Sequence, residues 1–254
     1  VMSSSPVFTP SHLAAVGPTL VTTRSALHRL AFYVLSAARE AGTGRIGLCS
    51  TPGGFGTPPF EDAEGRTRVL RVEGRDLVVE TDDRAHRSPI TTVGAAAELV
   101  GITPDPTRGA EFDVPAIGPL DEPLVIDLDA SSLLGEWYRF GFDTLDALLS
   151  EAEAEPEEAA TDAQLWPEHF DVGIDLGSAE ADARASYGAS PGDDRHPEPY
   201  LYVAAWSDVD RNDEYWNDAH FSGASLTLSE LTAGGDPLDR AISFLQSGRR
   251  RLGN

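Results

Sequence analysis

The sequence predicts an α+β fold, with a mainly antiparallel sheet and about four helices. Short runs that alternate apolar and polar residues recur between Gly- and Pro-containing turns, which is typical of strands with one buried face. Longer stretches place apolar residues three and four apart, as amphipathic helices do. A chain of 254 residues, 41% of them hydrophobic, is also long enough to bury a substantial core.

The first half of the chain contains a helix and a hairpin that are easy to assign. We expect residues 1–21 to form a tail or a docking arm, and a helix to start after Thr22 and Thr23, with Gly42 ending it. Residues 67–73 and 75–81 alternate in character around Gly74 and predict a β-hairpin. A short helix should cover residues 93–100.

The later elements follow the same rules. Residues 124–126 predict a brief strand, and the next helix should start at Asp127 or Asp129. Residues 224–228 predict a last strand. Asp236 followed by Pro237 is a typical start for the final helix, and its last turn carries three arginines.

Domain organisation is predicted from an acidic segment near the middle. Residues 151–162 hold six acidic side chains and no bulky apolar one, which indicates a solvated linker. It joins two halves, 22–150 and 163–254. Neither half has enough strands for a good sheet alone, so the sequence predicts a single domain, 1–254, with one shared core.

Composition argues against two classes of partner. The formal charge is −23, and all 19 basic residues are arginine. A surface this acidic repels phosphate backbones and anionic lipids, so we expect neither nucleic-acid nor membrane binding. No signal peptide is recognised at the N-terminus and no apolar run reaches 18 residues, so a cytoplasmic location is expected. The oligomeric state is left open.

The stretch from Leu165 to Trp206 carries the strongest functional pattern. Phe170, Val172, Ile174 and Leu176 alternate with polar residues, so His169 and Asp171 should share the opposite face of one strand. A second run places Leu201 and Val203 on one face. The other face then holds Glu198, Tyr200, Tyr202 and Trp206.

Three interpretations of this polar face stay open. It is a solvated face, as many antiparallel sheets have. It lines a ligand pocket, because pockets combine aromatic walls with a few convergent polar groups. Or it holds a divalent metal, with ligands drawn from His169, Asp171 and either His196 or His220.

Three segments of this stretch also resemble a known pattern. Residues 165–171 (LWPEHFD), 188–193 (GASPGD) and 197–202 (PEPYLY) resemble segments of uncharacterised bacterial proteins, mostly actinobacterial, that are classed as domains of unknown function. The resemblance covers about 45 residues and implies no activity.

The leading functional hypothesis is a small-molecule-binding protein. Its ligand-binding residues would be His169, Asp171, Glu198, Tyr200 and Tyr202. The alternative is a metal-dependent hydrolase or isomerase that uses His169, Asp171 and His196, with a divalent metal as its cofactor. No cofactor is expected under the leading hypothesis. A non-catalytic partner-binding module is the third hypothesis.

Overall fold

The fold class predicted from the sequence is confirmed. The computed structural model describes residues 10–82, 84–112, 114–152 and 160–253, which form helices and two antiparallel sheets. The chain divides into two compact units. The C-terminal unit comprises Val1–Ala15, Arg139–Gln164 and Asp171–Asn254, and the N-terminal unit comprises Val16–Tyr138 and Leu165–Phe170.

The predicted linker, residues 151–162, does not mark this division. Residues 151–152 still belong to a helix, and residues 153–159 lie outside the described part of the chain. Along the main chain, the boundary between the units falls after Tyr138, inside that same helix, and the short stretch Leu165–Phe170 belongs with the N-terminal unit.

The first helical segment is longer than the sequence predicts. Helix α1 (Pro10–Leu30) continues through a buried π-helical turn (Ala31–Ser36) into α2 (Ala37–Thr43). The helix therefore starts at Pro10, not after Thr22, and Pro18 lies inside it. Residues 1–9 of the predicted tail lie outside the described residues. The helix ends before Gly44, which adopts the left-handed conformation.

The first sheet belongs to the N-terminal unit. Its strands are β1 (Cys49–Thr51), β2 (Gly54–Gly56), β3 (Phe60–Glu61), β4 (Thr67–Glu73), β5 (Asp76–Thr81) and β6 (Arg84–Pro89). They have the order β1-β2-β4-β5-β6, with β3 also paired to β4. The predicted hairpin is confirmed as β4 and β5. Strand β6 was not predicted, because its mostly exposed residues carry no apolar alternation.

The next elements are α3 (Val93–Val100) and α4 (Leu128–Ala152). Helix α3 is confirmed, with the Thr92 hydroxyl accepting a hydrogen bond from the Ala95 amide. The strand predicted at residues 124–126 is wrong. That segment is irregular, and only its neighbour Pro123 forms a single bridge, with Thr92.

The second sheet is antiparallel throughout its registered pairs. It contains β7 (Gln164–Trp166), β8 (Asp171–Leu176), β9 (Ala185–Ser190), β10 (Tyr200–Ala205) and β11 (Gly223–Thr227), in the order β11-β10-β9-β8-β7. Helices α5 (Leu228–Leu231) and α6 (Pro237–Arg251) follow. Strand β9 lies between β8 and β10 and pairs with both.

One face of this sheet is aliphatic. The register aligns Val172 with Ala189 and Leu201, and the next row pairs Ile174, Tyr187 and Val203. Helices cover this face closely. A Cβ on Gly141 of α4 would lie 2.8 Å from the Ala189 side chain, and one on Gly248 of α6 would lie 2.9 Å from Val203. Small residues in both helices therefore allow close helix–sheet packing.

No helix among the described residues is both long enough and apolar enough to cross a membrane.

Candidate functional site

The opposite face of the second sheet carries the polar residues that the sequence singled out. Asp171 begins β8, and Tyr200 and Tyr202 lie on β10. All three belong to the positions that alternate with the aliphatic rows, so the predicted grouping of these side chains on one face is confirmed. Asp171 and Tyr200 are each only 7% exposed, so this is not an ordinary solvated face.

A hydrogen bond spans an entire strand on this face. The Tyr202 hydroxyl donates to Asp171 Oδ2 at 2.5 Å, although β9 separates their strands. Gly188 makes this contact feasible. It pairs with Tyr202 in the register, and a Cβ at this position would lie 2.4 Å from the Tyr202 hydroxyl and 2.5 Å from the Val172 carbonyl oxygen. Only a residue without a side chain leaves space for the tyrosine ring to cross β9.

Both tyrosines are held in their protonated form. Burial, followed by the charge of Asp171, raises the pKa of Tyr202 well above its usual value. Burial also raises the pKa of Tyr200, and the Asp193 carboxylate adds to the effect. The two hydroxyls therefore stay hydrogen-bond donors across the physiological pH range, each directed at a carboxylate.

The second carboxylate belongs to a histidine-centred cluster next to the tyrosines. His196 lies between two aspartates, with Nδ1 3.3 Å from Asp193 Oδ1 and Nε2 2.9 Å from Asp218 Oδ2. The Tyr200 hydroxyl donates to Asp193 Oδ2 at 2.9 Å, and the Tyr200 and His196 rings are 4.4 Å apart. This arrangement fixes the orientation of the imidazole on both sides.

Asp193 is stabilised as a carboxylate by the turn it occupies. Burial favours its neutral form, but the backbone N–H groups of His196 and Arg195, the Tyr200 hydroxyl and the His196 ring together outweigh that effect, so the pKa of Asp193 is lowered overall. Those amides donate to Asp193 Oδ1 at 2.8 and 2.7 Å. Asp218, 3% exposed, accepts from the His220 amide as well. The cluster therefore offers fixed acceptors beside aromatic rings.

The predicted placement of His169 on the strand is wrong. His169 is an exposed residue in a turn, residues 167–170, and β8 begins only at Asp171. The preceding residue, Phe170, has a φ of 57°, and its amide donates to the Trp166 carbonyl at 2.7 Å. A left-handed residue interrupts the alternation of faces, so the period-two pattern does not extend back to His169. Phe170 itself is buried, as predicted.

Glu198 is also placed differently from the expectation. It precedes β10, and its Oε2 accepts from the Ser229 amide at 2.9 Å and from the Ser229 hydroxyl at 2.7 Å. Ser229 belongs to the first turn of α5. Glu198 therefore contacts the start of a helix, where an anion is favourable.

The metal-binding alternative has no assembled ligand set among the described residues. Throughout this part of the chain, no group of three or more His, Cys, Asp or Glu side chains is arranged to hold a metal ion. The set His169, Asp171 and His196 is therefore not brought together. His220 is exposed, and its ring lies 5.4 Å from that of His196.

The sequence did not predict three residues that shape the polar face and the contacts of His196, namely Gly188, Asp193 and Asp218. Asp193 follows a Pro-Gly pair, and an aspartate there is typical of a turn whose carboxylate accepts backbone amides. That signal points to the turn, not to the tyrosine contact. Asp218 lies 22 residues from its partner His196, and no local spacing connects them.

A separate groove lies beside α6 in the C-terminal unit. It is open to solvent and has a volume of about 710 Å³. Its lining residues are Tyr215, Leu226, Gly234, Gly235, Asp236, Asp239, Arg240, Ser243, Phe244 and Ser247. None of the predicted site residues lines this groove. Its walls are largely exposed, and the buried chemistry of the unit lies elsewhere, on the polar face.

Comparison of the chain with protein-family models, with curated proteins and with solved structures found no match.

Proposed function

We propose that this chain binds a small molecule through the polar face of strands β8–β10, with Asp171, Tyr200 and Tyr202 as recognition residues. The main evidence is the Asp171 carboxylate, which is 7% exposed and accepts a hydrogen bond from the Tyr202 hydroxyl across Gly188. Aspartate is rarely buried unless it is paired, because removing a charge from water is costly. A buried aspartate carboxylate in a sheet of small and aromatic residues therefore favours a functional role for Asp171.

The chemistry of this face favours a ligand with hydrogen-bond donors. Asp171 and Asp193 present carboxylate oxygens, and both neighbouring tyrosine hydroxyls already donate to them. Tyr200, Tyr202 and Phe221 add aromatic rings, with the Tyr202 and Phe221 centroids 6.4 Å apart. An aromatic surface with a few fixed polar groups is the usual composition of a small-molecule site.

Thermal melting across a panel of metabolites and metal ions tests this proposal. A ligand that binds only the folded state at 100 times its Kd adds about 2.7 kcal/mol of stability. In a protein of this size, that should raise the Tm by about 5–10 °C. Asp171→Asn keeps the shape and removes the charge, whereas Tyr200→Ala removes an aromatic wall, so both variants should lose most of the shift.

Asp208→Asn is the matched control, because Asp208 is exposed and lies outside the cluster. It should respond to the same compound as the wild type does. The proposal is contradicted if no compound in the panel shifts the wild-type Tm, or if Asp171→Asn and Tyr200→Ala respond as fully as the control.

A further inference from the structure

Strand β6 forms one edge of the first sheet, within the N-terminal unit. It is the last strand in the order β1-β2-β4-β5-β6, and it pairs with β5 at six consecutive positions, from Asp76 opposite Pro89 to Thr81 opposite Arg84. Five of its six residues are exposed. The strand is therefore regularly paired on one side and open to solvent on the other.

The register shows which backbone groups of β6 point toward β5. Just beyond the paired residues, the Ile90 amide donates to the Arg75 carbonyl at 2.8 Å. Hydrogen-bonded positions alternate with non-bonded ones along an antiparallel pair. Counting back from Ile90 in steps of two, the N–H and C=O groups of Ser88, His86 and Arg84 point toward β5.

The remaining residues of β6 direct their backbone groups away from the sheet. They are Ala85, Arg87 and Pro89, and a proline is tolerated at such a position because its missing N–H would face solvent. Among the described residues, no group hydrogen-bonds to the N–H and C=O groups of Ala85 and Arg87. These four groups can therefore pair with an added strand.

The second sheet shows how this chain covers an edge strand elsewhere. On β11, the Ser225 amide and carbonyl bond to the two polar atoms of the Asn217 side chain at 2.9 and 3.0 Å. The Thr227 amide donates to the Glu230 carboxylate at 2.9 Å. Side chains thus occupy the outward backbone groups of β11, whereas those of β6 have no such cover within the described part of the chain.

The charges of β6 are compatible with a second copy of this chain as the partner. The strand carries Arg84, His86 and Arg87 and no acid, although the formal charge of the chain is −23. An equally acidic second copy therefore meets less repulsion at this strand than the mean surface charge implies. Arg87 is already balanced within its own copy, because it forms ion pairs with Glu73 and Asp76.

A two-fold axis at His86 makes the strand complementary to itself. In an antiparallel pair centred there, Ala85 of each copy lies opposite Arg87 of the other, so the outward groups form four hydrogen bonds between the copies. Arg84 then lies opposite Ser88, and only His86 meets its own counterpart. Like charges directly opposite one another destabilise a strand pair, and this register places no two arginines opposite each other.

We propose that β6 is a homodimerisation edge, at which two copies of this chain pair their β6 strands antiparallel, centred on His86, and join their first sheets into one. The interface uses residues of the N-terminal unit alone and does not depend on the proposed ligand site. Pairing along one strand buries little surface, so the dimer should be weak, with a Kd of about 10–100 µM.

Sedimentation equilibrium in about 0.15 M sodium chloride, where exposed charges are screened beyond about 8 Å, tests the proposal. At about 200 µM wild type, the mean mass should exceed about 40 kDa, and it should approach the 27.1 kDa of one chain on dilution to about 1 µM.

Ala85→Pro removes one outward N–H from each copy without touching the pairing with β5. It should weaken dimerisation about tenfold or more. Ala85→Val is the matched control, because it keeps the N–H and favours the strand conformation, and it should dimerise as the wild type does.

A second pair of variants tests the two-fold axis and keeps the test decisive if Ala85→Pro folds poorly. His86→Glu places two carboxylates directly opposite each other and should weaken dimerisation, whereas the neutral His86→Gln should not. The proposal is overturned if the wild type stays monomeric at about 200 µM, which would mean that the charges of β6 keep other strands away. It is also overturned if Ala85→Pro or His86→Glu dimerises as strongly as its control, which would place the dimer contact on another surface.

Discussion

Gly188 determines which residues of the polar face can meet. The position is opposite Tyr202 in the register and has the Val172 carbonyl oxygen on its other side. Any side chain there would occupy the space that the Tyr202 ring crosses to reach Asp171. The hydrogen bond between Tyr202 and Asp171 defines the candidate site. It therefore depends on Gly188, a residue without a side chain on the strand between the two partners.

Gly188→Ala should destabilise the protein by about 1–3 kcal/mol, because the new Cβ would come within 2.5 Å of both the Tyr202 ring and a backbone oxygen. Urea denaturation measures the effect. Gly234→Ala is the control, since a Cβ there meets no atom within 4 Å, and it should change stability by less than about 0.5 kcal/mol. Equal stabilities for the two variants would rule out the tight crossing at β9.

His28 should make stability depend on pH between 6.5 and 4. Its folded pKa of about 4 lies below its unfolded value of 6.5, so the unfolded chain binds the proton first as pH falls. This contribution to the free energy of unfolding is complete above pH 6.5 and is lost progressively down to pH 4, by about 3 kcal/mol.

The measurement is urea denaturation of the wild type and His28→Gln at several pH values. The difference in unfolding free energy between them should shrink, or reverse in sign, as the pH is lowered through this window. A difference that stays constant from pH 7 to pH 4 would show that His28 has the same pKa in the folded and unfolded states.

For single residues, the sequence predicted which face of a strand a side chain occupies, but it did not predict which residues that side chain contacts. Period-two alternation correctly placed Asp171, Tyr200 and Tyr202 on one face. It failed for His169 because the left-handed backbone at Phe170 resets the pattern, and such a conformation is not expected of a phenylalanine. The contact between His196 and Asp218 depends on how two loops fold back, which no local pattern encodes.

Among the elements, helix ends were the easiest to predict and strands of small residues the hardest. Asp236 caps α6, accepting from the Leu238 and Asp239 amides as the Asp-Pro start implies. Strand β9 consists of small residues apart from Tyr187, so it lacks the apolar alternation that marks a strand. Strand β9 pairs with both β8 and β10, and this backbone pairing is not predicted by its own sequence.

The cap of α6 gives a prediction for a whole element. Asp236→Ala removes the acceptor for two orphan amides and should lower the free energy of unfolding by about 1 kcal/mol. Asp208→Ala, which removes an exposed acid of the same charge, should change it by less than about 0.5 kcal/mol. Chemical denaturation compares the two, and an equal loss in both would mean that the charge, and not the cap, is responsible.

At the scale of the whole molecule, the charge of −23 is the dominant feature. Like charges on a folded surface repel one another, and salt screens them, shortening the Debye length from about 30 Å at 0.01 M to about 3 Å at 1 M. The Tm should therefore rise with sodium chloride over this range, and potassium chloride should act equally. A Tm that falls with both salts would mean that attractive ion pairs outweigh the repulsion.

The α+β class was predictable because both periodicities are present in the chain, but the division into units was not. The sequence pointed to the acidic segment 151–162 as the joint, whereas the boundary between the units falls within α4. Hydrophobic periodicity shows that a helix exists, and it does not show which contacts each half of that helix makes. Composition alone therefore does not locate the division between the two units.

Asp171 and Tyr202 interact directly across β9, and a double-mutant cycle measures this interaction. The free energies of unfolding of the wild type, Asp171→Asn, Tyr202→Phe and the double variant give the coupling between the two side chains. A buried, charge-assisted hydrogen bond predicts a coupling of about 1–3 kcal/mol, with the double variant less destabilised than the sum of the single ones. Additive effects, with a coupling below about 0.3 kcal/mol, would mean that Asp171 and Tyr202 do not interact across β9.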